Sequence, residues 1–433
     1  MIKATLRIFV IVTSIAISRA AAADGGAQAL QESSRINELA STLLQISLAE
    51  GELKNAVVSS VSLFYALSML ETGALEQSKT RLQTILLANP TEQDTVQDIA
   101  VSLASTLIRE PGRGNSEEGF AMRNSLWATN GASDGKPFVF APAFAENIAG
   151  AFDADVHNID FLGGHAASRV NQWAEESTRG QIDEIIDRDT IAELTWLIIN
   201  AAYFEGAWAS PMLRLPAADD YRFITGAGEE QHVATVTSKQ VLRVVDADDG
   251  SVVLSIPFSD GKYHMVLQIP AQDEQSIPQW LRGRAIPRQA DAIEAVFSAR
   301  STYYDVKLRM PVFSFSDRIS LMSHSPATAE LGLELLFSDK AKLFAMVDMA
   351  RSHPALHDTK VGLIQQDARI ELDENGVKAA AVTVIGGLIK STMAPGFPQR
   401  TIVINRPFAW TIVERGSRTA LFSGVLATPS DGE

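Results

Sequence analysis

The sequence predicts one α+β domain. Apolar residues recur at helical spacing through the first half of the chain, and strand-like patterns predominate after Trp208. Neither a repeat nor a low-complexity block divides the 433 residues, and linker-like stretches are confined to 112–114 and 352–354. The composition, 46% hydrophobic and 21% charged, is typical of a globular protein. Helices early and strands late indicate an α+β fold.

The helical segments come first. Apolar residues at three- and four-residue intervals predict helices at 36–48, 63–87, 92–107, 142–152 and 166–186. Between them, residues 120–127 alternate as a strand does. Further strands are predicted at 221–223, 241–245, 252–256, 264–269 and 303–310, and most of the last hundred residues are strand-like. Residues 415–417 (Arg-Gly-Ser) carry a hairpin-turn signal, but the sequence alone does not order the strands.

The N-terminus has the layout of a secretory signal peptide. Lys3 and Arg7 precede the apolar run 8–17, and small residues follow at 20–23. We expect residues 1–23 to be removed and 24–433 to form the domain, in a secreted or periplasmic protein. An uncleaved anchor is the alternative, but a bilayer span needs about 20 apolar residues. Because cleavage removes three cations and no acid, the net charge would fall from −15 to −18.

The net charge and composition of the chain limit the classes of partner that it is expected to bind. An acidic chain is a poor ligand for nucleic acid or for a heparin-like polyanion, although a local basic patch remains possible. No later segment is long enough to span a membrane, so no membrane association is expected after cleavage. The chain has no cysteine, so an exported form rests on its core instead of disulfides.

Enzyme motifs are absent from the sequence. It contains no G-x-S-x-G, H-E-x-x-H, phosphate-binding loop or G-x-G-x-x-G. His353 and His357 are four residues apart, but Pro354 between them argues against a helical metal pair. We therefore expect no catalytic residue, no metal site and no cofactor.

One segment near the C-terminus has two conflicting patterns. Glycines at 376, 386 and 387 and a proline-bearing tail are typical of a mobile loop. The residues between them alternate as a strand, and one face would carry Val377, Ala379, Ala381, Thr383 and Ile385. A segment that suits both states suggests a conformational switch; an ordinary core strand is the alternative.

The surrounding motifs resemble those of the serpins, the serine-protease-inhibitor family. The hinge is 370–376 (Ile-Glu-Leu-Asp-Glu-Asn-Gly) followed by alanines at 379–381. The other matches, in family order over about 370 residues, are 55–62, 171–173 with 178–182, 197–208, 331–333 with 336–338, 405–408, 410–414 and 420–424. The resemblance implies three sheets, about eight or nine α-helices and an exposed reactive-centre loop at about 376–398.

The resemblance also implies a scissile bond. In the family, the residue fourteen positions after the hinge glycine presents its carbonyl to the protease. Counted from Gly376, that residue is Lys390, with Ser391 on the leaving side. A lysine there suits a trypsin-like serine protease, which would be trapped as a covalent acyl complex by a monomeric inhibitor. A slipped register would instead present Leu388 or Ile389 to a chymotrypsin- or elastase-like enzyme, and Lys390 as a plain loop charge is the remaining alternative.

Two further groups of residues take roles from the resemblance. The hinge comprises Glu374, Gly376, Val377, Ala379, Ala380 and Ala381, and its small neutral side chains favour insertion into a sheet. Lys378 stands where the family usually has glutamate, and we expect it to face solvent. A polar cluster beneath the opening sheet comprises Ser59, Ser62, Asn200 and Gln366, with Trp208 where insertion begins. Gln366 replaces the usual histidine, so histidine-based pH sensitivity is in doubt; core packing is the alternative role for all five.

Two other functions remain open. A non-inhibitory serpin would act as a binding or carrier protein, and trypsin would cleave it without forming a complex. A hydrolase of an exported class would turn over a substrate.

Overall fold

The computed structural model of the chain describes residues 33–430 except 50, 88–94, 109–118, 219, 275 and 378–395. Within these ranges the α+β class and the three sheets are confirmed, with ten helices where about eight or nine were expected. The proposed signal peptide, 1–23, lies outside the described residues. None of the described helices combines the length and apolar character that crossing a membrane requires.

The helices lie mainly in the first half of the chain. They are α1 (33–47), α2 (Ser60–Gly73), α3 (Glu76–Leu86), α4 (Val96–Leu107), α5 (Pro142–Phe152), α6 (Ala166–Ser177), α7 (Arg188–Ala192), α8 (Ile277–Trp280), α9 (Gln289–Phe297) and α10 (Pro326–Glu330). A π-helical turn, Leu281–Ala285, continues α8, and 3₁₀ turns occur at Glu334–Phe337, Phe344–Met346 and Pro354–Leu356.

Seventeen strands are formed by the described residues. They are β1 (Ala56–Val58), β2 (Gly119–Thr129), β3 (Ala154–Ile159), β4 (Trp196–Ala207), β5 (Leu213–Leu215), β6 (Phe223–Ile224), β7 (Glu230–Gln231), β8 (Thr235–Asp246), β9 (Val252–Pro257), β10 (Tyr263–Ile269), β11 (Thr302–Pro311), β12 (Phe313–Leu321), β13 (Ile364–Leu372), β14 (Gly376–Val377), β15 (Gln399–Val403), β16 (Phe408–Glu414) and β17 (Thr419–Leu426).

The strands form one large sheet, one main sheet and a two-stranded ribbon. The main sheet has the order β12-β13-β14-β4-β2-β3. The large sheet has the order β1-β17-β16-β10-β9-β8-β11-β15, with β5 also paired to β8, and β6 pairs with β7. Helix α2 contacts both β4 and β17, so it lies behind the main sheet and links it to the large one.

Two predicted helices are shorter than their patterns. The helix expected at 63–87 is broken at Ala74 and Leu75, where the backbone is extended and the Leu75 amide bonds the Lys342 carbonyl at 2.8 Å. The helix expected at 166–186 ends at Ser177, because Arg179 and Gly180 adopt positive φ angles of 53° and 75°. In both cases apolar spacing continues beyond the helix, since the residues after the break also pack inward.

Candidate functional site

A tight turn at the end of β13 sets the position of the predicted hinge. The Asp373 carboxylate accepts hydrogen bonds from the backbone amides of Asn375 at 2.7 Å and Gly376 at 3.2 Å. Gly376 has a φ of 153°, and a Cβ there would collide with the carbonyl oxygen of Gly206. This position therefore requires glycine, because only glycine combines that backbone angle with so close an approach.

The turn directs the chain back into the main sheet as β14. Gly376 pairs with Ala207 of β4, and Val377 pairs with Gly206 on one side and with Leu372 of β13 on the other. Val377 is buried at 3% exposure. The resemblance assigned Val377 to the hinge that inserts into a sheet, and in the intact chain this residue already lies between β13 and β4.

Below Val377 the main sheet has a slot between β4 and β13. Among the described residues no backbone hydrogen bond joins these two strands, although both are paired on their outer sides. Two small cavities of about 40 and 30 Å³ lie along the slot, and both contact Asn200 of β4 and Gln365 of β13. Each has room for a water molecule. Strand β14 occupies the first two residue positions between β4 and β13.

Gln366 on β13 holds the start of helix α2 beneath the slot. Its Oε1 atom accepts from the Ser59 amide at 3.0 Å, and its Nε2 donates to the Ser59 carbonyl. The Ser59 hydroxyl donates to the Leu421 carbonyl at 2.8 Å and accepts from the Ser62 amide as the N-cap of α2. Because Gln366 is 8% exposed and Ser59 2%, these bonds satisfy groups that water does not reach.

Asn200 continues the polar cluster towards β2. Its Nδ2 donates to the Asn124 side chain at 2.6 Å, and Asn124 donates to the Phe152 carbonyl at 2.6 Å. The Ser62 hydroxyl reaches the Asn200 carbonyl at 3.4 Å. The Asn200 Oδ1 atom is buried and finds no partner among the described residues. An unpaired buried acceptor is costly, so this end of the cluster favours a state that supplies a donor.

Trp208 binds the turn that precedes β14, at the end of the slot where β14 lies. Its indole Nε1 donates to the Asp373 carbonyl at 3.0 Å, its backbone amide bonds the Asn375 carbonyl at 3.0 Å, and its ring stacks on Phe258 at 4.9 Å. Glu374, the charged residue of the turn, lies 3.3 Å from Arg214. Trp208 therefore contacts the turn that precedes β14.

The chain after α6 crosses the outer face of the slot. On the β4 side Arg179 forms an ion pair with Glu205 at 3.1 Å. On the β13 side Gln365 donates to the Ile185 carbonyl and to Asp367. Burial raises the pKa of Asp367, opposed by hydrogen bonds from Arg318 and Gln365. These contacts hold the crossing segment against both borders of the slot.

The structure brings together Ser59, Ser62, Asn200, Gln366, Trp208, Glu374, Gly376 and Val377 along this one slot. Ala379, Ala380, Ala381, Lys390 and Ser391 lie outside the described residues, in 378–395. Asn124 was missed by sequence analysis. In the sequence, its only signal is that a polar residue takes a position where residues 120–127 alternate as a strand with apolar side chains. In the structure, Asn124 is 3% exposed.

Comparisons with known proteins agree with this architecture. The family model described as "Serpin (serine protease inhibitor)" matches residues 34–429. Serpin-Z2A of Triticum aestivum is 26% identical over 407 residues, covering 90% of this chain and 94% of its own length. Serpin-Z10 of Arabidopsis thaliana is 26% identical over 387 residues, covering 87% and 92%.

Solved structures show the same fold. A thyroxine-binding globulin complex with thyroxine superposes with a TM-score of 0.73 at 20% identity, covering 92% of this chain and 99% of its own. A structure titled "Cleaved Serpin 42Da" superposes with a TM-score of 0.72 at 20% identity, covering 93% and 100%.

Proposed function

The chain belongs to the serpin family, and on that premise we propose that it inhibits trypsin-like serine proteases as a suicide substrate. Serpins are mostly protease inhibitors and not catalysts. The observation that carries the proposal is Val377, which already lies in the short strand β14 between β4 and β13. Below it, no backbone hydrogen bond joins those two strands among the described residues. The function follows from filling the rest of that slot after cleavage.

The register of β14 indicates how the strand would continue. Extending the pairings of Val377 with Gly206 and Leu372 by two residues sets Ala379 opposite Phe204 and Ile370. Both are buried, so Ala379 would enter the core-facing side of the sheet. Lys378 would face outward between Glu205 and Glu371, whose carboxylates suit a cation. The lysine that departs from the usual glutamate is therefore compatible with insertion.

The driving force is the completion of the sheet. About a dozen new backbone hydrogen bonds at about 1 kcal/mol each supply on the order of 10 kcal/mol, and burial of valine and isoleucine adds to it. The fourteen residues from Val377 to Lys390 span about 46 Å as a strand. A protease attached at Lys390 would be carried that far along the molecule.

The chemistry belongs to the protease. Its serine hydroxyl attacks the Lys390 carbonyl, an acyl ester forms, and the amine of Ser391 leaves with the transferred proton. In ordinary proteolysis water then cleaves the ester. If insertion is faster, the ester is moved and the protease active site is distorted before water attacks. Inhibition is thus a competition between hydrolysis and strand insertion.

Lys390 sets the proposed specificity, because a trypsin-like pocket holds an acid that pairs with a basic side chain. A slipped register presenting Leu388 or Ile389 would redirect the inhibitor to chymotrypsin- or elastase-like enzymes. We also propose that residues 1–23 direct export, which N-terminal sequencing of the protein recovered outside the cytoplasm tests; a mature form that retains Met1 would contradict it.

Active trypsin tests the function directly. We expect an SDS-resistant complex whose mass is that of the protease plus the inhibitor without its C-terminal peptide. Trypsin with its active-site serine blocked serves as the control and should give no such complex. A carrier protein of this family would be cleaved in the loop without forming a complex. Cleavage without a complex by trypsin-, chymotrypsin- and elastase-like enzymes alike would contradict the proposal.

A further inference from the structure

A basic surface lies on the strands that follow the reactive loop. Strands β8, β11 and β15 are neighbours in the large sheet, and their side chains alternate between core and solvent. We define the lysine face as the outward residues Lys239, Val241, Arg243, Tyr303, Asp305 and Lys307. The residues between them, such as Leu242 and Leu308, are buried in the core.

Two lysines face each other across this surface. Lys239 of β8 pairs directly with Lys307 of β11. Lys239 is balanced by Asp305 at 3.1 Å, whereas Lys307 is exposed and has no ion pair or hydrogen bond within the described part of the chain. Like charges opposite each other destabilise a sheet. A departure from good sheet design at an exposed position is typical of a functional surface.

Apolar groups stand beside the charges. Val241 is 44% exposed and Tyr303 42%. The Tyr303 ring also packs against Phe397 at 5.8 Å, and Phe397 is itself 49% exposed. Arg243 covers the other side of Tyr303 at 4.8 Å. Aromatic residues and arginine are enriched at protein interfaces, as Tyr303, Phe397 and Arg243 are here.

The position of the face indicates its partner. Gln399, the first residue of β15, pairs with Asp305 at the edge of the face. It is the ninth residue after Lys390, a reach of at most about 30 Å. A protease domain is roughly 45 Å across, so an enzyme bound at Lys390 has to lie close to the lysine face.

We propose that the lysine face is a second contact surface for the target protease, which presents acidic residues beside its active-site cleft. The inference rests on the proposed function, because the loop brings that partner to the face. The whole chain carries a net charge of −15, so an acidic protease would otherwise be repelled. A local basic surface beside the loop offsets this repulsion and speeds encounter.

The test measures binding without catalysis. Anhydrotrypsin cannot acylate, so its affinity does not depend on loop insertion. We expect Lys307→Glu to weaken binding of anionic anhydrotrypsin about tenfold at low salt and much less in 0.5 M NaCl. Lys340→Glu is the matched control, because it makes the same change of charge at an exposed lysine outside the lysine face. Lys340 lies two residues before Lys342, whose carbonyl bonds the Leu75 amide between α2 and α3. It should alter binding less than twofold, and cationic anhydrotrypsin should respond weakly to both variants.

The outcomes separate this inference from the proposed function. Equal effects of Lys307→Glu and Lys340→Glu, or no binding by the wild type, would overturn the lysine face whether or not active trypsin is trapped. Acceleration of trapping by dextran sulfate that is lost in Lys307→Glu would mean a polyanion surface and would also overturn it. Selective weakening in Lys307→Glu with an unchanged number of inhibitors consumed per active trypsin would support it.

Discussion

The indole nitrogen of Trp208 donates a hydrogen bond to the backbone carbonyl of Asp373 at 3.0 Å. This bond joins the end of β4 to the turn from which the reactive loop starts. The indole is 6% exposed, so most of its surface packs against the protein beside this bond. The contact fixes the turn at the opening of the slot, and its removal tests whether the turn position matters.

Trp208→Phe should therefore lower the stability of the intact protein by about 1 kcal/mol, because the partly buried Asp373 carbonyl loses its donor. Urea unfolding measures this. Trp280→Phe is the control, since Trp280 donates to the Asp249 carboxylate at 3.1 Å and lies outside the main sheet. Both variants should lose stability, but only Trp208→Phe should change the number of inhibitors consumed per protease trapped. Equal trapping by the two would contradict a role for Trp208 at the hinge.

Replacing Lys390 should redirect the inhibitor. Lys390→Leu is expected to shift trapping from trypsin-like to chymotrypsin-like enzymes, because the primary pocket of each protease reads this side chain. The check is N-terminal sequencing of the C-terminal peptide released from the wild type. A peptide that does not begin at Ser391 would show that the bond lies elsewhere in the loop.

Ala379→Arg should turn the inhibitor into a substrate. The register sets Ala379 against Phe204 and Ile370, so an arginine would be buried at a cost of several kcal/mol. Acylation at Lys390 should continue, and hydrolysis should then outrun insertion. Several inhibitor molecules should be consumed per trypsin inactivated.

Lys378→Arg is the matched control for Ala379→Arg. It keeps a cation on the outward side, between Glu205 and Glu371, and should trap trypsin as the wild type does. One-to-one trapping by Ala379→Arg would show that this residue does not enter the sheet.

Gln366 should contribute to stability through both of its amide atoms. Gln366→Met keeps the side-chain volume but removes the two bonds to the Ser59 backbone, and we expect a loss of about 2 kcal/mol in urea unfolding. Gln45→Met, on α1, has no side-chain hydrogen bond to lose in the described structure and should change stability by less than about 0.5 kcal/mol. Similar losses in the two variants would argue against the cluster.

His264 should make the protein sensitive to mild acid. Burial, with the nearby cations Arg415 and Arg243, lowers the pKa of His264 to about 4. Since the unfolded chain keeps a pKa of about 6.5, it binds more protons between these values, and stability falls as the pH drops through that window. At pH 5 the loss from this group is about 2 kcal/mol.

His264→Gln should remove most of this pH dependence, since glutamine does not titrate and can still bond Ser255, which lies 2.8 Å from the imidazole Nδ1. His165→Gln, at an exposed position, should leave it unchanged. Urea unfolding at pH 7 and pH 5 measures both. An unaltered slope in His264→Gln would assign the acid sensitivity to other groups.

The sequence predicted the fold class and most elements because apolar periodicity survives where one face is buried, as in α5 and β8. It did not predict where 166–186 stops being helical, because the left-handed turn at Arg179 and Gly180 interrupts no apolar pattern. The position of Val377 in the intact chain was also missed. Its pairing depends on the gap between β4 and β13, two strands that are more than 150 residues apart.

Asn124 shows the same limit at the candidate site. Its neighbours in β2 form a regular strand pattern, and its bond to Asn200 arises only when β2 and β4 pair. Ser59 and Gln366, 307 residues apart, were found only through the serpin resemblance. Local pattern therefore predicts elements, whereas the polar contacts across the slot require the assembled sheet.

Thermal melting of intact and loop-cleaved protein tests the central claim most directly. A nick normally frees the chain and lowers stability, but here cleavage should let 378–390 fill the slot below Val377. We expect the melting temperature to rise by tens of degrees after cleavage, because completing the sheet adds on the order of 10 kcal/mol. A melting temperature that is unchanged or lower after cleavage in the loop would contradict insertion and, with it, the proposed mechanism.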